Sequence, residues 1–117
     1  MNRTRLCALA QITDGDSAGF QVADQGVRHD LIVVRRGGAA FVYRNSCPHI
    51  GAPLDFAPGR FLNLDKTHIL CSTHGAMFRI EDGLCISGPC LGDSLERVAA
   101  TVEDEAVFVD ISSTAGS

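Results

Sequence analysis

Cys47-Pro48-His49-Ile50-Gly51-Ala52 and Cys71-Ser72-Thr73-His74-Gly75-Ala76 are two short stretches separated by twenty-one residues between His49 and Cys71. Each offers one thiol and one imidazole, and each carries Gly then Ala just after its histidine, directly in the second stretch and past Ile50 in the first. Four soft or borderline donors on two loop tips imply a metal site. A structural zinc site commonly puts like ligands on one arm, as Cys-x2-4-Cys with a later His-x3-5-His. Here each arm mixes the two types, and the first is a tight Cys-x-His. With a binuclear iron-sulfur cluster, each arm can give its thiolate to one iron and its imidazole to the other.

Outward from the first stretch, Leu31-Ile32-Val33-Val34-Arg35 and Ala39-Ala40-Phe41-Val42-Tyr43 flank Arg36-Gly37-Gly38. A Gly-Gly turn between β-branched and aromatic runs predicts a hairpin. Its second strand leads through Arg44-Asn45-Ser46 into Cys47, so the first arm grows from a sheet. His68-Ile69-Leu70 predicts a strand entering the second arm, and Ala76-Met77-Phe78-Arg79-Ile80 one leaving it. Leu6 to Ile12 and Gly19 to Val22 read as two further strands, and Phe61 to Lys66 as a small hairpin or loop. The segment after Gly88-Pro89 fits a helical face through Leu95, Val98, Ala99 and Val102, or a strand through Val98, Ala100 and Val102. A turn at Glu103-Asp104-Glu105 before Ala106-Val107-Phe108-Val109-Asp110 favours a terminal hairpin, with residues 111–117 frayed.

Cys47-x-His49, Cys71-x2-His74-Gly75, Phe78 and the later Gly88-Pro89 resemble the Rieske 2Fe-2S proteins, over roughly residues 5–110. The resemblance implies an all-β fold, a stack of small antiparallel β-sheets with a cluster-binding subdomain of two β-arm loops at about 44–92, in a single domain of residues 1–117. It implies one 2Fe-2S cluster per chain, held by Cys47 and Cys71 on one iron and by His49 and His74 on the other. Neutral imidazoles leave the oxidised cluster with less negative charge than four thiolates would. An electron is then easier to add, and such centres sit at about -150 to +300 mV against about -400 mV for plant-type ferredoxins. Gly51 and Gly75 allow unusual backbone angles that let amide N-H groups approach the bridging sulfides.

By the same resemblance, the Gly88-Pro89 loop covers the cluster. High-potential relatives carry hydroxyl donors, a Ser and a Tyr, at the places occupied here by Ala76 and Phe78. Relatives in respiratory complexes brace the arms with a disulfide between places occupied here by Ala52 and Thr73, so no such bridge is expected. The implied function is that of a soluble electron carrier, not an enzyme. It would pass one electron from a flavoprotein reductase to a terminal oxidoreductase such as an oxygenase. Alternatives are a small non-catalytic subunit of a larger reductase, of nitrite-reductase type, and a structural zinc module.

Composition agrees with a small carrier. The chain has 117 residues and a formal net charge of -4, and its longest run of cations is Arg35-Arg36, so no nucleic-acid footprint is present. The N-terminus lacks a signal-peptide core, and no apolar run approaches the about 18 residues of a spanning helix, so a cytoplasmic protein without a membrane partner is expected. Five cysteines, an odd number, argue against a secreted disulfide framework. Cys7, Cys85 and Cys90 lie off the ligand spacing and read as thiols packed like small hydrophobes. His29 and His68 read as surface or strand histidines. Lys66 and Arg79 read as solvated side chains, while Met77 and Phe78 serve either to shield the cluster or simply as core.

Overall fold

A strand covered on both faces reads as a continuous apolar run instead of an alternating one, and Leu31-Ile32-Val33-Val34 is such a run. The computed structural model describes residues 3–24, 26–46, 61–63, 65–71, 75–88 and 91–110. Its strands are β1 (Arg3–Ala8), β2 (Ser17–Asp24), β3 (Val27–Arg36), β4 (Ala39–Arg44), β5 (His68–Leu70), β6 (Met77–Arg79), β7 (Cys85–Ser87), β8 (Ala99–Glu103) and β9 (Ala106–Asp110). They form three antiparallel three-stranded sheets, ordered β2-β3-β4, β5-β6-β7 and β1-β9-β8. One turn of 3-10 helix, Leu9–Gln11, follows β1.

The sheet β2-β3-β4 is the middle layer. Successive side chains on a strand point to opposite faces, and Leu31, Val33 and Val42 pack on one side with Cys7, Ile12, Val98, Val107 and Val109. Ile32, Val34 and Tyr43 pack on the other with Phe61, Ile69, Cys71, Ala76, Phe78, Ile80 and Cys85. The second of these cores lies between the middle sheet and the arm-bearing sheet β5-β6-β7. Each buried Val or Leu contributes roughly 1.5–3 kcal/mol.

The end of β4 is held from both edges. Asn45 N-H donates to the Asp30 carbonyl at 2.9 Å on the β3 side, and Arg44 N-H to the Glu96 carbonyl at 2.9 Å on the other. The Arg44 guanidinium also pairs with Glu96 and shares a hydrogen bond with His29 Nδ1 at 2.7 Å. The first arm therefore leaves from a backbone fixed on both sides. Residues 96–98 extend this edge, with Val98 N-H donating to the Val42 carbonyl at 2.9 Å, before the chain enters β8.

Most expected strands are present, and the departures have local causes. The first strand stops at Ala8 instead of Ile12, because Ala8 N-H is taken by Gln11 Oε1 at 2.7 Å and the chain turns there. Ile12 is apolar because it is buried, without being in a strand. β7 was not expected, since three residues, Cys85–Ser87, are too few to display alternation. The terminal hairpin is borne out as β8 and β9 around Asp104 and Glu105, at φ 52° and 60°. The expected frayed tail at 111–117 lies outside the described residues.

Tyr43, the chain's one tyrosine, is fully buried, and its hydroxyl donates to the Ile80 carbonyl at 2.6 Å. Burial pushes its pKa up to about 12, against an opposing pull from Arg97. The neutral phenol is the native form, so its contribution to stability is complete below pH 10 and is lost as pH rises from about 10 to about 12. Two units correspond to roughly 3 kcal/mol. Ultraviolet difference absorbance of native protein should give a phenolate midpoint near pH 12. A midpoint near 10 would show the ring to be solvated.

Candidate metal centre

Cys71 sits at the root of the second arm. Its N-H donates to the Ala76 carbonyl at 2.8 Å, and its own carbonyl accepts from Gly75 N-H at 3.0 Å. The arm is thereby closed at its base, directly beyond the β5-β6 ladder that pairs Leu70 with Met77. Gly75 has φ 70°, the left-handed backbone expected of it from the sequence. Behind the arm, Leu70 N-H donates to the Phe61 carbonyl at 2.7 Å, while Asn63 Oδ1 accepts from Thr67 and His68 N-H and closes the preceding turn.

The Cys71 side chain is 0% exposed, among Ile69, Ala76, Phe78 and Cys85. Phe78 lies opposite Ile69 on one side and Cys85 on the other, across the three strands. Phe78 is thus core as well as a wall beside the Cys71 position, and Met77 is half-buried. Cys47, His49 and His74 lie outside the described residues, as do Gly51, Ala52, Thr73, Pro89 and Cys90. Among the described residues, no three Cys, His, Asp or Glu side chains converge on one point.

The chain beyond β7 returns to this arm. Gly88 has φ 103°, and a Cβ on it would lie 2.7 Å from Ala76 Cα and 3.0 Å from Ala76 Cβ. Two backbones meet there because one residue has no side chain and the other only a methyl. Leu91 N-H to the Gly88 carbonyl, Gly92 N-H to the Cys85 carbonyl and Cys85 N-H to the Asp93 carbonyl staple the loop shut. Gly88→Ala should cost roughly 1–3 kcal/mol from the backbone angle, with displacement of the loop or of Ala76 in addition. Urea unfolding measures this, and a loss under 0.5 kcal/mol, within the range of roughly ±0.5 kcal/mol usual for surface substitutions, would show that the contact yields freely.

The remaining sequence candidates fall elsewhere. Cys7 packs in the opposite core, where burial raises its thiol pKa. Cys85 is buried and its thiol contacts the Ser87 carbonyl at 3.3 Å; neither it, Cys7 nor Cys71 is in a disulfide. His68 is half-buried on β5, beside Thr67 Oγ1. Lys66 pairs with Asp16 at 3.1 Å, and Arg79 with Asp82, whose carboxyl the guanidinium holds down at about 2. The sequence reading missed Tyr43; a lone tyrosine four residues before Cys47 is the signal that was available.

The donor chemistry fits a cluster with mixed ligands. Cys71 is a soft donor, placed dry and at the base of a closed arm, and Ala76 and Gly88 leave backbone instead of side chain beside it. Comparison with known proteins agrees. Human apoptosis-inducing factor 3 is 33% identical over 85 residues, which is 73% of this chain but 13% of that protein; the chain thus spans about an eighth of this curated relative. The ferredoxin of Sphingomonas yanoikuyae B1 is 31% identical with a TM-score of 0.69, over 93% of this chain and 98% of that one. A chain in the complex of reduced oxygenase and oxidized ferredoxin in carbazole 1,9a-dioxygenase is 25% identical with a TM-score of 0.70, over 92% and 91%. No helix among the described residues is long and apolar enough to cross a membrane. The Rieske [2Fe-2S] domain model matches residues 2–104, and the chain belongs to that family, whose resident group is a [2Fe-2S] cluster.

Proposed function

We propose that this chain is a one-electron carrier, a ferredoxin that takes an electron from a flavoprotein reductase and delivers it to a terminal oxidoreductase such as an oxygenase. The observation that carries this reading is the match to the ferredoxin of Sphingomonas yanoikuyae B1, 31% identical over 93% of this chain. Cys47 and Cys71 are assigned to one iron and His49 and His74 to the other. The cluster, when bound, supplies a one-electron site.

The chain's own residues hold and shield that site. Ile69, Ala76 and Phe78 keep water from Cys71. Of the three large apolar side chains exposed among the described residues, Ile86 at 39% and Leu91 at 69% flank the loop that rests on Ala76. That places apolar contact surface beside the second arm, where a partner must approach. A net charge of -4 favours basic partner faces by long-range steering. The reading includes a non-catalytic role, a cytoplasmic location and a single domain over 1–117.

The test is reduction of oxidised cytochrome c, a basic one-electron acceptor, by dithionite-reduced protein freed of excess reductant. One electron per chain should be delivered, at a rate that falls as salt rises. Two electrons per chain, or none, would contradict the carrier role.

A further inference from the structure

The two ligand arms come from different sheets, and no strand ladder joins those sheets among the described residues. Something must fix their separation, because a cluster bound by one thiolate and one imidazole from each arm tolerates little error; functional constellations are held to within about 0.5 Å. Exposed contacts, Arg36 to the Lys66 carbonyl and Lys66 to Asp16, cross between the sheets at one place. A buried side-chain hydrogen bond crosses elsewhere, within the core packed between the two sheets. Tyr43 is the fourth residue before Cys47 on the strand that feeds the first arm, and Ile80 the sixth after His74 on the segment that leaves the second. The Tyr43 hydroxyl donates to the Ile80 carbonyl at 2.6 Å in a fully buried setting.

The ring is fixed as firmly as the hydroxyl. A Cβ on Gly83 would stand 2.8 Å from Tyr43 Cε1, so ring and turn are in close contact there. That turn is held in its own right, by Gly83 N-H to the Arg79 carbonyl at 2.8 Å and Leu95 N-H to the Gly83 carbonyl at 2.9 Å. A rigid ring ending in one buried hydrogen bond therefore spans from the strand that feeds arm one to the far end of β6, the strand that leaves arm two. Beyond Ile80 toward the arm lies only the short β6, paired on both edges, so a shift of Ile80 is carried to Ala76 and Cys71.

We propose that Tyr43 is a positioning residue for the cluster, its hydroxyl latched on the Ile80 carbonyl to set the distance between the two ligand arms. This rests on the assignment of Cys47, His49, Cys71 and His74 as ligands. Tyr43→Phe keeps the ring and its packing on Gly83 but leaves a buried carbonyl without its donor, which frees the Ile80 end to move. The effect reaches the cluster through the position of Ile80 and β6.

The test compares reduced holoprotein of the wild type, Tyr43→Phe and Val107→Ala, the last truncating a buried residue in the opposite core. Tyr43→Phe should release iron to a ferrous chelator about tenfold faster, as expected for a buried carbonyl left without its donor, and show shifted g-values in electron paramagnetic resonance. Val107→Ala, though less stable, should keep the wild-type g-values. Wild-type g-values and release in Tyr43→Phe, or the same shift in both variants, would overturn the proposal. If Tyr43→Phe fails to fold, 3-fluorotyrosine at this one tyrosine keeps the ring and strengthens the donor; shifted g-values support the latch and unchanged ones overturn it. Cluster loss in Cys71→Ser alongside an unaltered Tyr43→Phe would sink the latch alone, whereas an intact cluster in Cys71→Ser would sink the ligand assignment first.

Discussion

Cys71→Ser gives a protein without a chromophore, whereas Cys7→Ser, Cys85→Ser and Cys90→Ser each keep it. The expectation for Cys71 follows from its place at the base of the closed second arm, with its thiol dry and soft. A serine hydroxyl there is a poor ligand for iron and cannot replace the thiolate in the mixed donor set. Cys7 lies in the core on the far side of the middle sheet. Cys85 is closer, in the same core as Cys71, but its thiol is turned to the Ser87 carbonyl at 3.3 Å. Visible absorbance with iron analysis of the four variants reads the result. Loss of colour on changing Cys7, Cys85 or Cys90 would show the ligand set to be incomplete.

A low reduction potential is the second large effect. Where high-potential relatives place hydroxyl donors, this chain has Ala76 and Phe78, 1% and 0% exposed and packed in one core with Cys71. No hydroxyl there can stabilise the charge added on reduction, and water is excluded from the same positions. Hydrogen bonds to the sulfurs are among the terms that set iron-sulfur potentials. The midpoint should fall at about -150 to 0 mV. Phe78→Tyr and Ala76→Ser should each raise it by about 60 mV, if each new bond is about 1.4 kcal/mol stronger in the reduced state. Protein-film voltammetry measures all three proteins, and a wild-type midpoint above about +150 mV would contradict the argument.

The fold was legible where patterns were long. The apolar run Leu31 to Val34, the Gly37-Gly38 turn, and the turn at Glu103-Asp104-Glu105 before the apolar run Ala106 to Val109 were strong local signals, and β3, β4 and β9 follow them. The short strand β7 carried too few residues for one. The end of the first strand was set by one side chain, Gln11, taking the Ala8 N-H, which no hydrophobic pattern encodes. The pairing of β1 with β9, the first and last strands among the described residues, is likewise a long-range choice that no local pattern encodes.

The site was legible in a different way. Cys and His at metal-ligand spacing announce a chemistry without any fold, and the strand-to-arm continuity at Leu70-Cys71 and Ala76-Met77 could be read from the sequence beside it. Contacts that cross between sheets could not. Neither the Tyr43 hydroxyl on Ile80 nor the approach of Gly88 to Ala76 leaves a local signature. Gly88 could be read as part of a loop, but not as the residue that lets the loop touch the arm.

The central claim is a binuclear cluster whose two irons differ in their ligands, sulfur on one and nitrogen on the other. Pulsed electron paramagnetic resonance of the one-electron-reduced protein tests it most directly, because electron spin echoes register nitrogen bonded to a paramagnetic centre. Two coupled imidazole nitrogens, both assigned by their loss in His49 and His74 variants, are the predicted result. A reduced cluster with no nitrogen coupling, or a protein that holds zinc and gives no signal, would contradict it.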